Sequence, residues 1–94
     1  MISSFKCKET GEIFYGRHSR KLPRKIQRRA QVKLTMLHAA MNLQDLKAPP
    51  SNRLEKLQGK KKSWYSIRIN DQWRLCFSWN AGRAADVEIV DYHK

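Results

Sequence analysis

Acidic residues are what this chain most lacks: eight Asp and Glu stand against twenty Lys and Arg, and none lies between Ile13 and Gln44. Such an imbalance excludes a cationic partner and points to a polyanion, by charge alone a nucleic acid, an anionic membrane surface or an acidic protein. Long apolar runs are also missing, with nothing near the ~18 residues of a membrane span. The opening Met1-Ile2-Ser3-Ser4-Phe5-Lys6 lacks a basic stretch followed by an apolar one, so a cytoplasmic chain that is neither secreted nor membrane-bound is expected. Cysteine is scarce: Cys7 and Cys76 are the two in the chain, and in a cytoplasmic domain they are expected to be reduced. Three scattered histidines, His18, His38 and His93, with no CxxC, HxxxH or HExxH spacing, give no reason to expect a metal or other cofactor. The 94 residues suit one domain, residues 1–94, whose substrate binds outside a small core.

Gly16, Pro23, Pro49-Pro50, Gly59 and Gly82 divide the chain, and no repeat or low-complexity stretch intervenes. Residues 1–6 alternate as a short strand, and residues 9–16 suit a short helix carrying Ile13, Phe14 and Tyr15. A longer helix is expected from Pro23 to Met41, because Ile26, Ala30, Leu34, Leu37 and Met41 form an apolar stripe at helical spacing. Its other side is basic. Eight Lys and Arg lie between Arg17 and Lys33, and Lys21, Arg24, Arg28 and Arg29 are candidate RNA-binding residues. Lys60, Lys61 and Lys62 are further candidates.

After the prolines the pattern becomes β, with strands expected at Leu54–Leu57, Trp64–Ile69, Trp73–Trp79 and Ala84–Tyr92. Alternation puts Tyr65, Ile67, Leu75, Phe77, Val87 and Ile89 on one face. Matching the apolar sides makes Asn70-Asp71-Gln72 a three-residue loop and sets Arg68 across from Arg74. The same reasoning gives a loop Asn80-Ala81-Gly82, which pairs Leu75 with Val87 and Arg74 with Glu88. The other face then carries Arg68, Arg74 and Glu88, with Arg74 outside the core and removable without unfolding the chain. Two arginines side by side are unfavourable unless an anion covers them. The fold class expected is α+β, two N-terminal helices packed on a twisted antiparallel sheet.

The segments Asn52-Arg53-Leu54-Glu55-Lys56-Leu57-Gln58-Gly59, Tyr65-Ser66-Ile67-Arg68-Ile69-Asn70-Asp71-Gln72-Trp73-Arg74-Leu75-Cys76-Phe77 and Val87-Glu88-Ile89-Val90-Asp91-Tyr92-His93 resemble those of HigB toxins. These belong to the RelE/ParE-like toxin superfamily, and the GraT-like subgroup is especially similar. The resemblance implies a RelE-like toxin of a type II toxin-antitoxin system, a metal-independent endoribonuclease. Such a toxin enters the ribosomal A site, cleaves mRNA during translation and inhibits growth, and a helix-turn-helix antitoxin of HigA type neutralises it. The catalytic candidates are then Arg68 and Arg74 as phosphate clamps, with Asp91, Tyr92 and His93 matching the family's terminal motif. The chain departs from some relatives at Glu55 and Gln58, where they carry a catalytic histidine and lysine. Two other readings stand beside this one: a ParE-like gyrase poison on the same fold, and a basic RNA- or ribosome-binding module without cleavage.

Overall fold

Spacing of apolar side chains along the basic segment dictates a helix that buries one stripe, and the computed structural model, which describes residues 1–58 and 63–92, contains it as α2, Arg24–Ala39. Ile26, Ala30, Leu34 and Leu37 are buried along it. The helix stops two residues earlier than expected. Ala40 leaves with extended dihedrals, and Met41, expected in the stripe, is 82% exposed. The preceding helix, α1, covers Lys8–Phe14, and Gly16 ends its turn at φ +79, a conformation open to glycine at little cost. A third helix, α3 (Leu43–Lys47), was not anticipated. Its start is written in the chain as a capping box: the Asn42 side chain accepts from the Asp45 backbone, and Asp45 accepts in return from the backbone of Asn42. A single 3-10 turn, Pro50–Asn52, leads into the sheet.

Among the described residues four antiparallel strands follow, in the order β1 (Glu55–Lys56), β2 (Trp64–Arg68), β3 (Trp73–Asn80) and β4 (Arg83–Asp91). The helices followed by this open sheet are the α+β arrangement expected of a RelE-like fold. Ile67, Ile69, Leu75, Phe77, Val87 and Ile89 face α1 and α2 and form one core with Ile13, Ile26, Leu34 and Leu37. The β2–β3 register is as expected, Ile67 opposite Leu75 and Arg68 opposite Arg74. The Asn70 side chain holds the loop between them by accepting from the backbone of Gln72 and Trp73.

The β3–β4 register differs from expectation. Leu75 faces Ile89, and Arg74 faces Val90, not Val87 and Glu88. Two causes add. The turn is two residues long, Ala81 and Gly82, both at positive φ as a tight hairpin requires, and Asn80 pairs with Arg83. A bulge between Cys76 and Ser78 then inserts a residue into β4, where Asp86 sits at φ +51. Each shifts the pairing by one. Because strand parity has a period of two, the shifts together return Cys76 and Glu88 to the face away from the helices, now opposite each other.

Residues 1–6 do not form a separate strand. Ile2 and Phe5 make isolated parallel bridges to Ala84 and Val87, on either side of the bulge. Between them the Ser4 hydroxyl accepts from the backbone N–H of Asp86 at 2.8 Å. This segment covers the β4 edge that would otherwise present unpaired backbone groups.

Candidate functional site

On the sheet face away from the helices, Glu55, Ser66, Cys76 and Glu88 form one cross-strand row, with Arg74 in the next row. Parity alone makes this face exposed. It is not exposed at Arg74, which is 8% accessible because the chain from Arg53 to Glu55 crosses above it. The guanidinium is held on several sides. Nε donates to the Ser66 hydroxyl at 2.8 Å, and Nη2 donates to the carbonyls of Arg53 and Ser66 at 2.6 and 3.2 Å. The Glu55 carboxylate, 64% exposed, lies 3.1 Å from the same nitrogen. This burial overturns the expectation that Arg74 stands outside the packed structure: its removal would strand the Ser66 and Arg53 acceptors.

The carbonyl of Arg53 is aimed by strain and by a buried anchor. Arg53 sits in the left-handed region at φ +43, an unusual place for a residue with a side chain. Asn52 before it is fully buried. Its amide donates to the Leu46 carbonyl at 3.0 Å and accepts from the Lys33 ammonium at 2.5 Å. Burial, with Arg29 and Arg68 nearby, lowers the pKa of Lys33.

Tyr92 closes the other side of Arg74, with its ring centroid 5.9 Å from Cζ and its hydroxyl 3.6 Å from Cys76 Sγ. Burial first, then the contact with Cys76, pushes the tyrosine pKa up. Burial likewise raises the Cys76 thiol. Both groups are therefore protonated at neutral pH. Cys7 and Cys76 are free thiols.

The other candidates fall elsewhere. Arg68, though cross-strand from Arg74, pairs with Asp71 in the adjoining loop. Asp91 is opposite Trp73, one position out of phase with Tyr92, and its carboxylate accepts from the Gln72 amide at 3.2 Å. His93, Lys60, Lys61 and Lys62 lie outside the described residues. Arg24, Arg28 and Arg29 are exposed on α2, and Lys21, also exposed, is 3.7 Å from Glu9. Arg24 and Arg28 line a shallow cavity of about 310 Å³ together with Arg17 and His18. This basic surface belongs to the helical layer, behind the sheet from Arg74.

Sequence reasoning did not find Ser66 as the partner of Arg74, or Glu55 as its counter-ion. The Ser66 signal was available in the register, since Ser66 and Arg74 share a face one row apart. The Glu55 signal was not, because it depends on how a two-residue strand attaches to the sheet edge. Among the described residues no three His, Cys, Asp or Glu side chains gather as a metal site, and no helix is long and apolar enough to cross a membrane.

A sequence profile of RelE-like toxins of the type II toxin-antitoxin system HigB matches residues 3–93. Over 85 residues the chain is 42% identical to Toxin HigB-1 of Vibrio cholerae, covering 88% of each chain. An uncharacterized protein of Haemophilus influenzae is 40% identical over 65 residues, which is 69% of this chain and 64% of that protein. The profile match includes the Arg53–Tyr92 region that builds the Arg74 cluster, and the chain belongs to the HigB-like family of RelE-like toxins of type II toxin-antitoxin systems.

Proposed function

We propose that this toxin is a ribosome-dependent endoribonuclease that cleaves mRNA during translation in the cytoplasm and is neutralised by a helix-turn-helix antitoxin of HigA type. Arg74 carries the reading. A guanidinium fixed by Ser66 and the Arg53 carbonyl, beside a protonated tyrosine, suits the charge that develops on a phosphate attacked by its neighbouring 2′-hydroxyl. Arg74 stabilises the phosphorane oxygens, and the Tyr92 hydroxyl donates a hydrogen bond or proton to an oxygen of the reacting group. Glu55 holds the place of the phosphate on Arg74 until substrate arrives, and its exposed carboxylate is free to turn aside. Asp91 takes the 2′-hydroxyl proton as the P–O2′ bond forms, and His93 protonates the 5′-oxygen as the P–O5′ bond breaks, leaving a 2′,3′-cyclic phosphate and a 5′-hydroxyl.

Dependence on the ribosome follows from the shape of the site. The face around Arg74 offers few groups to align a flexible strand, and alignment supplies a large share of the acceleration in phosphoryl chemistry. Ribosomal RNA on the basic surface of α2, formed by Lys21, Arg24, Arg28 and Arg29, supplies that order, with Lys60, Lys61 and Lys62 as further RNA contacts. The α2 helix has no acid in its first turn and begins with Arg24 and Lys25, which oppose the helix dipole, so a bound polyanion offsets a local cost. The Glu55–Arg74 pair favours one competing reading, a ribosome-binding protein that does not cut, because the clamp already has an anion. Incubating the purified toxin with naked transcript and with a programmed ribosome complex tests the proposal. Cleavage within codons on the ribosome, and little on the naked strand, is expected. Binding without product, or equal rates on both substrates, overturns it.

A further inference from the structure

A cavity of about 350 Å³ opens on the same sheet face beyond Cys76, within the roughly 300–1,000 Å³ range of small-molecule sites. Leu57, Trp64 and Val90 give it apolar lining, and Gln58, Cys76, Glu88 and Lys6 line the rest. The two charges form a loose pair, 3.7 Å apart, with side chains 52% exposed for Lys6 and 34% for Glu88. The cavity adjoins the clamp: Cys76 lines it and touches the Tyr92 hydroxyl, whose ring covers Arg74.

We propose that this cavity is a guanine-recognition pocket for the nucleotide next to the phosphate held by Arg74. The inference rests on the RNA-cleaving reading for the identity of the strand and adds to it a base preference. An indole and two aliphatic side chains offer a stacking surface that takes any base, so they supply affinity without choice. Choice comes from the charged pair. The ammonium of Lys6 is a donor and the two oxygens of Glu88 are acceptors, a set that complements an acceptor followed by two donors. Guanine presents that order on one edge as O6, N1–H and the N2 amino group. Adenine and cytosine each present an amino donor beside a bare ring nitrogen, and uracil presents one N–H between two carbonyls. Each of those can engage Lys6 and one oxygen of Glu88 but has no second adjacent donor for the other oxygen, which guanine supplies.

Titration of the toxin with uncleavable 2′-O-methyl trinucleotides, identical except for G, A, C or U at the centre, tests the pocket, with binding followed by the tryptophan indole resonances. The guanine trinucleotide is expected to bind about tenfold more tightly than the others, within the range of a bidentate base contact. Glu88→Gln, which replaces one acceptor by a donor, is expected to bring the four affinities within about threefold of one another. Glu12→Gln makes the same charge change on α1, outside the cavity, and is expected to keep the preference. Trp64→Ala is expected to weaken all four alike. Equal affinities in the wild type, no saturable binding, or a guanine preference that survives Glu88→Gln would overturn the pocket. Because the readout is binding, a toxin that prefers guanine yet leaves transcripts intact on ribosomes overturns the cleavage reading alone. Cleavage with no base preference in binding overturns the pocket alone.

Discussion

Arg74 shows how far one buried side chain couples folding to chemistry. Its hydrogen bonds to Ser66 and the Arg53 carbonyl are shielded from water, so Arg74→Ala leaves acceptors unpaired and is expected to lower stability by about 2–3 kcal/mol. Ser66→Ala removes the Nε partner and the Ser66 hydroxyl's contact with Tyr92, and keeps the carbonyls of Ser66 and Arg53. It is expected to cost about 1 kcal/mol in urea unfolding while cutting single-turnover cleavage on ribosomes about tenfold, with ribosome affinity unchanged. Activity that followed stability alone in the two variants would show Ser66 to be structural. Cys76 gives a pH dependence of definite sign. Its folded pKa is raised, so the folded state retains the thiol proton where the unfolded chain has lost it. The resulting stabilisation is fully present below a thiol's ordinary value of about 8.5 and is lost as pH rises through the folded value. Unfolding free energy should therefore fall more steeply between neutral and strongly basic pH in wild type than in Cys76→Ala. Parallel curves would contradict the raised value.

At the scale of elements, the link between helix layer and clamp is the buried pair of Lys33 on α2 and Asn52 at the end of the 3-10 turn. Asn52→Ala would leave the Lys33 ammonium buried without its acceptor and release the turn that aims the Arg53 carbonyl. It is expected to destabilise by about 3 kcal/mol or more. Lys33→Met removes the charge itself and retains an apolar stem, so it is expected to cost distinctly less. Thermal or urea melts of both variants check the order, and the reverse order would mean that the ammonium itself stabilises the fold. The lowered Lys33 pKa adds a second test with the opposite pH sign to Cys76. The unfolded chain binds that proton more tightly, so its penalty is relieved as pH rises toward a lysine's ordinary ~10.4, and Lys33→Met should remove this gain.

For the molecule as a whole, the sheet separates two surfaces. The basic side of α2 faces outward from the helical layer, and the Arg74 cluster lies on the far side of the sheet. With a formal charge of +12, the first surface is expected to supply affinity through counterion release and the second to supply chemistry. Replacing Lys21, Arg24, Arg28 and Arg29 together by Gln should weaken ribosome binding. If all four meet phosphates, the log-log salt dependence should flatten by about three units. The fold should be retained, because these side chains are exposed. Unchanged affinity and slope would assign them to plain solvation.

What the sequence determined by itself is what short-range periodicity encodes. The α2 stripe from Ile26 to Leu37, the core faces of β2 and β3, and the Arg68–Arg74 register all follow from apolar side chains recurring at fixed intervals. The family resemblance was likewise legible, in motifs spread over nearly the whole chain. The β3–β4 pairing was not, because its bulge at Asp86 depends on how the N-terminal segment and the hairpin meet along one edge. The site was legible only as a direction. Parity aimed Arg74 away from the helices, but only the tertiary path of Arg53–Glu55 across that face buried it, supplied its carbonyl and brought Glu55 to it. Burial and hydrogen-bond partners belong to contacts distant in the chain, and no local pattern of residues specifies those.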